Sequence, residues 1–80
     1  MEVNLSGPLR SAAEEAAIIE IEAGTIRELL RKLVEQYPAM DQHLDQGIAV
    51  SIDGTMYRDD RDIRIPPNVE VVLLPRIQGG

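Results

Sequence analysis

Apolar side chains recur along this chain on two periods, and the longer one is the clearest. Ile26, Leu29, Leu30, Leu33, Val34 and Tyr37 follow the 3.6-residue spacing that lines one face of a helix. The pattern predicts a helix from about Thr25 to Tyr37. Thr25 can cap its first turn, and Glu28, three residues on, completes a capping box. Pro38 ends it, because a proline disfavours helical geometry at the residue before it. Glu28 with Lys32 and Arg31 with Glu35 can pair along the outer face, for a few tenths of a kcal/mol each. Burying each apolar side chain contributes roughly 1.5–3 kcal/mol. Packing therefore dominates, and the helix needs a surface to pack on.

The shorter period supplies that surface. Glu2–Leu5 alternates polar with apolar, and Ala17–Glu22 is rich in β-branched residues. In Ile48–Asp53 the residues Ile48, Val50 and Ile52 share a face. Asp53-Gly54 is a tight-turn signal, with Thr55–Tyr57 as a short return strand. Val69–Leu74 is the most continuously apolar segment, as a central strand covered on both faces or lying against a partner would be. Between these elements, Ser6–Glu15 reads as a loop with a helical turn through Ala12–Ala16, and Ala39–Gly47 reads as irregular. Arg58–Arg64 reads as a solvated charge run, and Pro66-Pro67-Asn68 as a turn. The order is strand, strand, helix, strand, short strand, strand. It implies an initial hairpin, a crossover through the helix, and a last strand parallel to the first. The expected fold is α+β: a mixed four- to five-stranded sheet with one main helix on one face, the β-grasp arrangement.

Composition narrows the chemistry mainly by exclusion. Eighty residues make one domain with one modest core, assigned here to residues 1–75 with a tail at 76–80. The chain has no cysteine, which removes disulfides, thiolate metal sites and a cysteine nucleophile. A net charge of −6 argues against nucleic-acid binding, which needs a basic footprint. No apolar run reaches spanning length, and Met1–Asn4 does not open a signal peptide, so the expected location is cytoplasmic. His43 has no histidine or cysteine partner for a metal. Ser6, Ser11 and Ser51 lie in no nucleophile-elbow sequence. Arg58, Arg61 and Arg64 interleave with Asp59, Asp60 and Asp62 and neutralise them, without the spacing of a calcium loop. The expectation is a non-catalytic protein with no metal and no bound cofactor.

Attention then moves to the last residues. After Leu74 the sequence reads Pro75-Arg76-Ile77-Gln78-Gly79-Gly80. Five residues beyond the proline can reach about 17 Å when extended, at ~3.4 Å each. Two glycines without side chains can enter a narrow channel and let a catalytic site close on the main chain. A glycine carboxylate is an unhindered acyl group, and once adenylated it is open to attack by sulfur or an amine.

Three stretches carry a family resemblance. Thr25–Leu30 with Tyr37-Pro38, then Val50–Gly54, then Val69–Pro75 with Gly79-Gly80 together resemble the ubiquitin-like sulfur-carrier family. Within it they are most similar to the small-subunit branch of molybdopterin synthase. The resemblance implies that an adenylyltransferase of the ubiquitin-activating type activates Gly80 with ATP, and that a sulfur donor converts it to a thiocarboxylate. In the molybdenum-cofactor branch the tail delivers sulfur inside a larger synthase subunit. The alternatives are a thiamine or tRNA-thiolation carrier, or a protein modifier, which share the same Gly-Gly activation. Gly79 and Gly80 are the residues carried over, Gly80 bearing the sulfur. The free carrier is expected to be a monomer that touches neither nucleic acid nor membrane.

A docking face follows separately from strand geometry. If Val69, Val71 and Leu73 face the helix, Val72 and Leu74 point to the opposite face. There they would join Arg76, Ile77 and Gln78 as a partner-binding surface and tail.

Overall fold

The computed structural model describes residues 1–58 and 60–75. Five strands form one mixed sheet: β1 (Glu2–Leu5), β2 (Ile18–Glu20), β3 (Ile48–Ile52), β4 (Thr55–Tyr57) and β5 (Val71–Pro75). Three helices, α1 (Leu9–Ala12), α2 (Ile26–Gln36) and α3 (Met40–Gln46), lie between them in sequence. The strand order is β2-β1-β5-β3-β4. The hairpin β1–β2 is antiparallel, and β5 returns parallel to β1 with Val3 beside Val71 and Leu5 beside Leu73. The sheet closes with β3 antiparallel to both β5 and β4. This is the β-grasp topology that the order of apolar patterns implies.

Alternation decides which face is buried. Val3, Leu5, Ile19, Val50, Val71 and Leu73 point into a single core, where they meet Ile26, Leu29, Leu30 and Leu33 of α2. Val34 and Tyr37 pack against the edge of that core. Thr25 stands in extended geometry at φ −138°, ψ 163°, and its hydroxyl accepts from Glu28 N–H at 3.2 Å. The reciprocal arm of the expected capping box lands one residue earlier: Glu28 Oε1 accepts from Gly24 N–H at 2.6 Å. Both expected surface pairs form, Arg31–Glu35 at 2.9 Å and Lys32–Glu28 at 3.9 Å.

Four segments differ from the sequence reading. The helical turn expected at Ala12–Ala16 occurs earlier, as α1. Pro8, at φ −65°, starts it, and Leu9 and Ala13 enter the core as an i, i+4 pair. Glu14 and Glu15, at φ 57° and 68°, end it. The segment expected to be irregular contains α3, anchored by Met40 at 0 % exposure and the half-buried Leu44. Gly47 ends α3 at φ 107° and donates to the carbonyls of His43 and Leu44. The last strand, expected over Val69–Leu74, begins at Val71 and runs on to Pro75, opposite Ile48. A proline at a strand's end removes little from the ladder.

The charge run also differs in its role. Most of its described side chains are exposed, yet its backbone is bonded to the start of α2. Ile26 N–H donates to Ile63 O at 3.1 Å and Arg27 N–H to Arg61 O at 2.9 Å. Ile65 N–H donates to Gly24 O, and Arg27 pairs with Asp62 at 3.1 Å. Helix N-termini leave their first N–H groups without partners inside the helix, and here a neighbouring strand-like segment supplies two of them. Asp59 lies outside the described residues.

Candidate docking face

The helices bury their apolar residues in one core, on one side of the sheet. The opposite side is open. Its composition follows from register, since residues directly opposite on paired strands share a face. Asn4 is beside Ile18 on one side and Val72 on the other; Val72 is beside Ser51, and Ser51 beside Met56. One row, Ile18–Asn4–Val72–Ser51–Met56, therefore crosses all five strands. Next to it, toward the end of β5, Leu74 stands beside Ala49.

This row holds the two most exposed large apolar side chains of the described residues, Ile18 at 53 % and Met56 at 46 %. Val72 and Leu74 are half-buried. Ala49 is buried yet belongs outside the core cluster, as expected for a small side chain shielded by its neighbours on the open face. Asn4 Nδ2 donates to Val71 O at 3.3 Å, which spends part of its polarity inside the sheet. Exposed apolar side chains gathered on one face mark an interaction surface far better than the same residues scattered.

Of the residues singled out from the sequence, Val72 and Leu74 fall on this face as the alternation requires. Arg76, Ile77, Gln78, Gly79 and Gly80 lie outside the described residues. Ile18, Asn4, Ser51 and Met56 were not anticipated. Each lies on a strand that was recognised, but only pairing register brings them into line with Val72.

Elsewhere the structure offers little for catalysis. Among the described residues no group of three His, Asp or Glu side chains could hold a metal ion. His43 lies half-buried in the last turn of α3. The displaced proton affinities belong to surface groups with simple causes. The Met1 ammonium donates to Glu22 at 2.5 Å and Glu20 at 3.0 Å; these bonds raise its own pKa, and the bond to Glu22 lowers that of the Glu22 carboxyl. Glu28 is lowered by the Gly24 N–H and then by Lys32. An open hollow of about 500 Å³ lies beside Met1, Glu22 and Pro66-Pro67. Among the described residues no helix is long and apolar enough to cross a membrane.

The sequence matches the ThiS family over residues 3–80. The chain belongs to the ThiS family. Its fold is that of the ubiquitin-like sulfur carriers, and solved structures share it at low identity. SAMP1 from Haloferax volcanii superposes with a TM-score of 0.75 at 21 % identity, covering 99 % of this chain and 97 % of that one. A chain of the BexX/CysO complex from Amycolatopsis orientalis gives a TM-score of 0.71 at 15 % identity, covering 99 % and 98 %. No functionally curated protein matches the sequence. Within this ThiS-family fold the open face and the end of β5 are adjacent, since Leu74 lies on that face one residue before Pro75 ends the strand.

Proposed function

We propose that this chain is a sulfur carrier whose Gly80 carboxylate is adenylated and converted to a thiocarboxylate, serving molybdopterin synthesis as the small synthase subunit. The carboxylate attacks the α-phosphorus of ATP and pyrophosphate leaves. A sulfide-level donor then displaces AMP from the acyl carbon, so that one oxygen of the carboxylate is replaced by sulfur. ATP and the catalytic groups belong to the activating enzyme; this chain contributes the acyl group and the surface that delivers it. The observation that carries the reading is ThiS-family membership across nearly the whole chain, joined to Gly79-Gly80 five residues beyond Pro75, the last residue of the central strand. The partners are an adenylyltransferase of the ubiquitin-activating type and a larger, sulfur-accepting synthase subunit. That a solved chain of this fold comes from a BexX/CysO complex supports a role that includes docking to a partner protein.

The test is the intact mass of the chain after incubation with such an adenylyltransferase, ATP and a sulfide donor, beside a variant lacking Gly80. The reading expects a gain equal to sulfur replacing oxygen, in the full chain alone. An unchanged mass with an enzyme that modifies its own carrier under the same conditions would overturn it.

A further inference from the structure

We propose that the open face is recognised by an enzyme surface with an apolar centre and a row of basic side chains along one margin, set away from the channel that takes the tail. The proposal rests on the carrier reading and adds the chemistry of the partner.

The margin is built from the strand register. Glu2 lies directly opposite Glu20 in the β1–β2 ladder. Because Val3 is beside Val71 in the parallel pair, Glu70 stands next to Glu2. Alternation puts Glu2, Glu20 and Glu70 on the same side as Asn4, Ile18 and Val72, and all three carboxylates are exposed. Asp53 fixes the end of the row: its N–H donates to Glu70 O at 2.9 Å, and its Oδ1 accepts from Glu70 N–H at 2.8 Å. Strands about 4.8 Å apart put the three glutamates within roughly 10 Å of one another. Leu74, four residues beyond Glu70, is then about 13 Å away. The apolar row lies between the acids and the end of the strand.

Like charges directly opposite on a sheet destabilise it. Glu20 is relieved by the Met1 ammonium, but Glu2 and Glu70 have no cationic partner among the described residues. None of the open-face strand positions is Lys or Arg. A second copy of this chain, whose net charge is −6, therefore brings no complementary cation on the matching surface. An anionic ligand is repelled. A basic protein surface relieves the repulsion and gains steering, since charge complementarity acts chiefly on association rate and register.

The experiment measures binding of the whole chain to an immobilised adenylyltransferase of the ubiquitin-activating type, without ATP, across ionic strength. The double variant Glu2→Lys/Glu70→Lys is expected to associate about tenfold or more slowly at low salt. The deficit should shrink to within about twofold near 1 M salt, where the Debye length is ~3 Å. A control with the same charge change on the helical side, Glu35→Lys/Asp45→Lys, is expected to lose less than about twofold. Thermal unfolding of each variant excludes misfolding as the cause. An equal loss in the control, a loss that persists in high salt, or no loss at all overturns the proposal, as does a concentration-dependent dimer of the free chain that buries this face. The two readings fail separately. A chain that becomes adenylated while the double variant binds like wild type keeps the carrier role and loses the basic partner. A chain that binds with the expected salt dependence and never gains AMP keeps the docking face and loses the carrier role.

Discussion

The Glu28 carboxylate accepts from Gly24 N–H at 2.6 Å while Glu28 N–H donates to the Thr25 hydroxyl at 3.2 Å. One residue thus closes the start of α2 from both sides, and it sits where negative charge complements the helix dipole. The Gly24 N–H, and after it Lys32, holds the Glu28 carboxyl below the ordinary 4.5. Glu22 is held low in the same direction, mainly by the Met1 ammonium. A carboxyl with a depressed folded-state pKa contributes stability that is present above its unfolded value and lost as pH falls through the folded one. The fold is therefore expected to weaken as pH drops below about 4.5, with little change between pH 6 and 8 from these two carboxyls. Glu28→Gln keeps an acceptor for Gly24 N–H but cannot ionise. Its urea midpoint should fall less steeply between pH 5 and 3 than that of the wild type. Parallel curves would show that the charge of Glu28 contributes nothing.

At the scale of elements, the contrast between α2 and α3 shows what makes a helix legible. The six-residue apolar stripe of α2 spans three turns and identifies the helix without any tertiary information. Only Met40 and Leu44 face inward from α3, an i, i+4 pair too short to stand out as a period. Tertiary contact holds α3 in place, because Met40 is fully enclosed in the core and an isolated helix of that length is unstable in water. Met40→Ala should accordingly cost about 2–5 kcal/mol, read as a lower urea midpoint, and should raise amide exchange in α3 before the strands open. The attachment of the Arg61–Ile65 backbone to α2 was illegible for a different reason. It runs through main-chain donors and acceptors, such as Arg27 N–H to Arg61 O, and leaves no trace in side-chain type. The sheet was legible strand by strand, since each strand alternates. The candidate docking face was legible only at Val72 and Leu74, because the alignment of Ile18, Asn4, Ser51 and Met56 with them depends on pairing register between distant segments.

At the scale of the whole molecule, the proposed carrier role assigns stability and docking to opposite faces of the sheet and the acyl group to the chain's end. Stability resides on the core side, where Val71 and Leu73 of β5 are fully enclosed. The same strand turns Val72 and Leu74 outward and then leads to Pro75. Substitutions should separate these tasks cleanly. Deleting Gly79 and Gly80 takes away no side chain and is expected to leave the unfolding midpoint and the affinity for the activating enzyme within about twofold, while abolishing adenylation. Val72→Asp places a charge at the centre of the apolar row. It should cost about 1 kcal/mol of stability as a poor strand former, and about tenfold or more in affinity through the buried centre of the interface. The tail of that variant is intact, so saturating enzyme should restore adenylation in Val72→Asp and not in the deletion. Measuring adenylate formation against enzyme concentration for both variants decides the matter. If saturation fails to rescue Val72→Asp, the open face acts in the chemistry and not only in docking. If the deletion variant is adenylated, the acyl group lies elsewhere in the chain and the carrier reading of Gly80 falls.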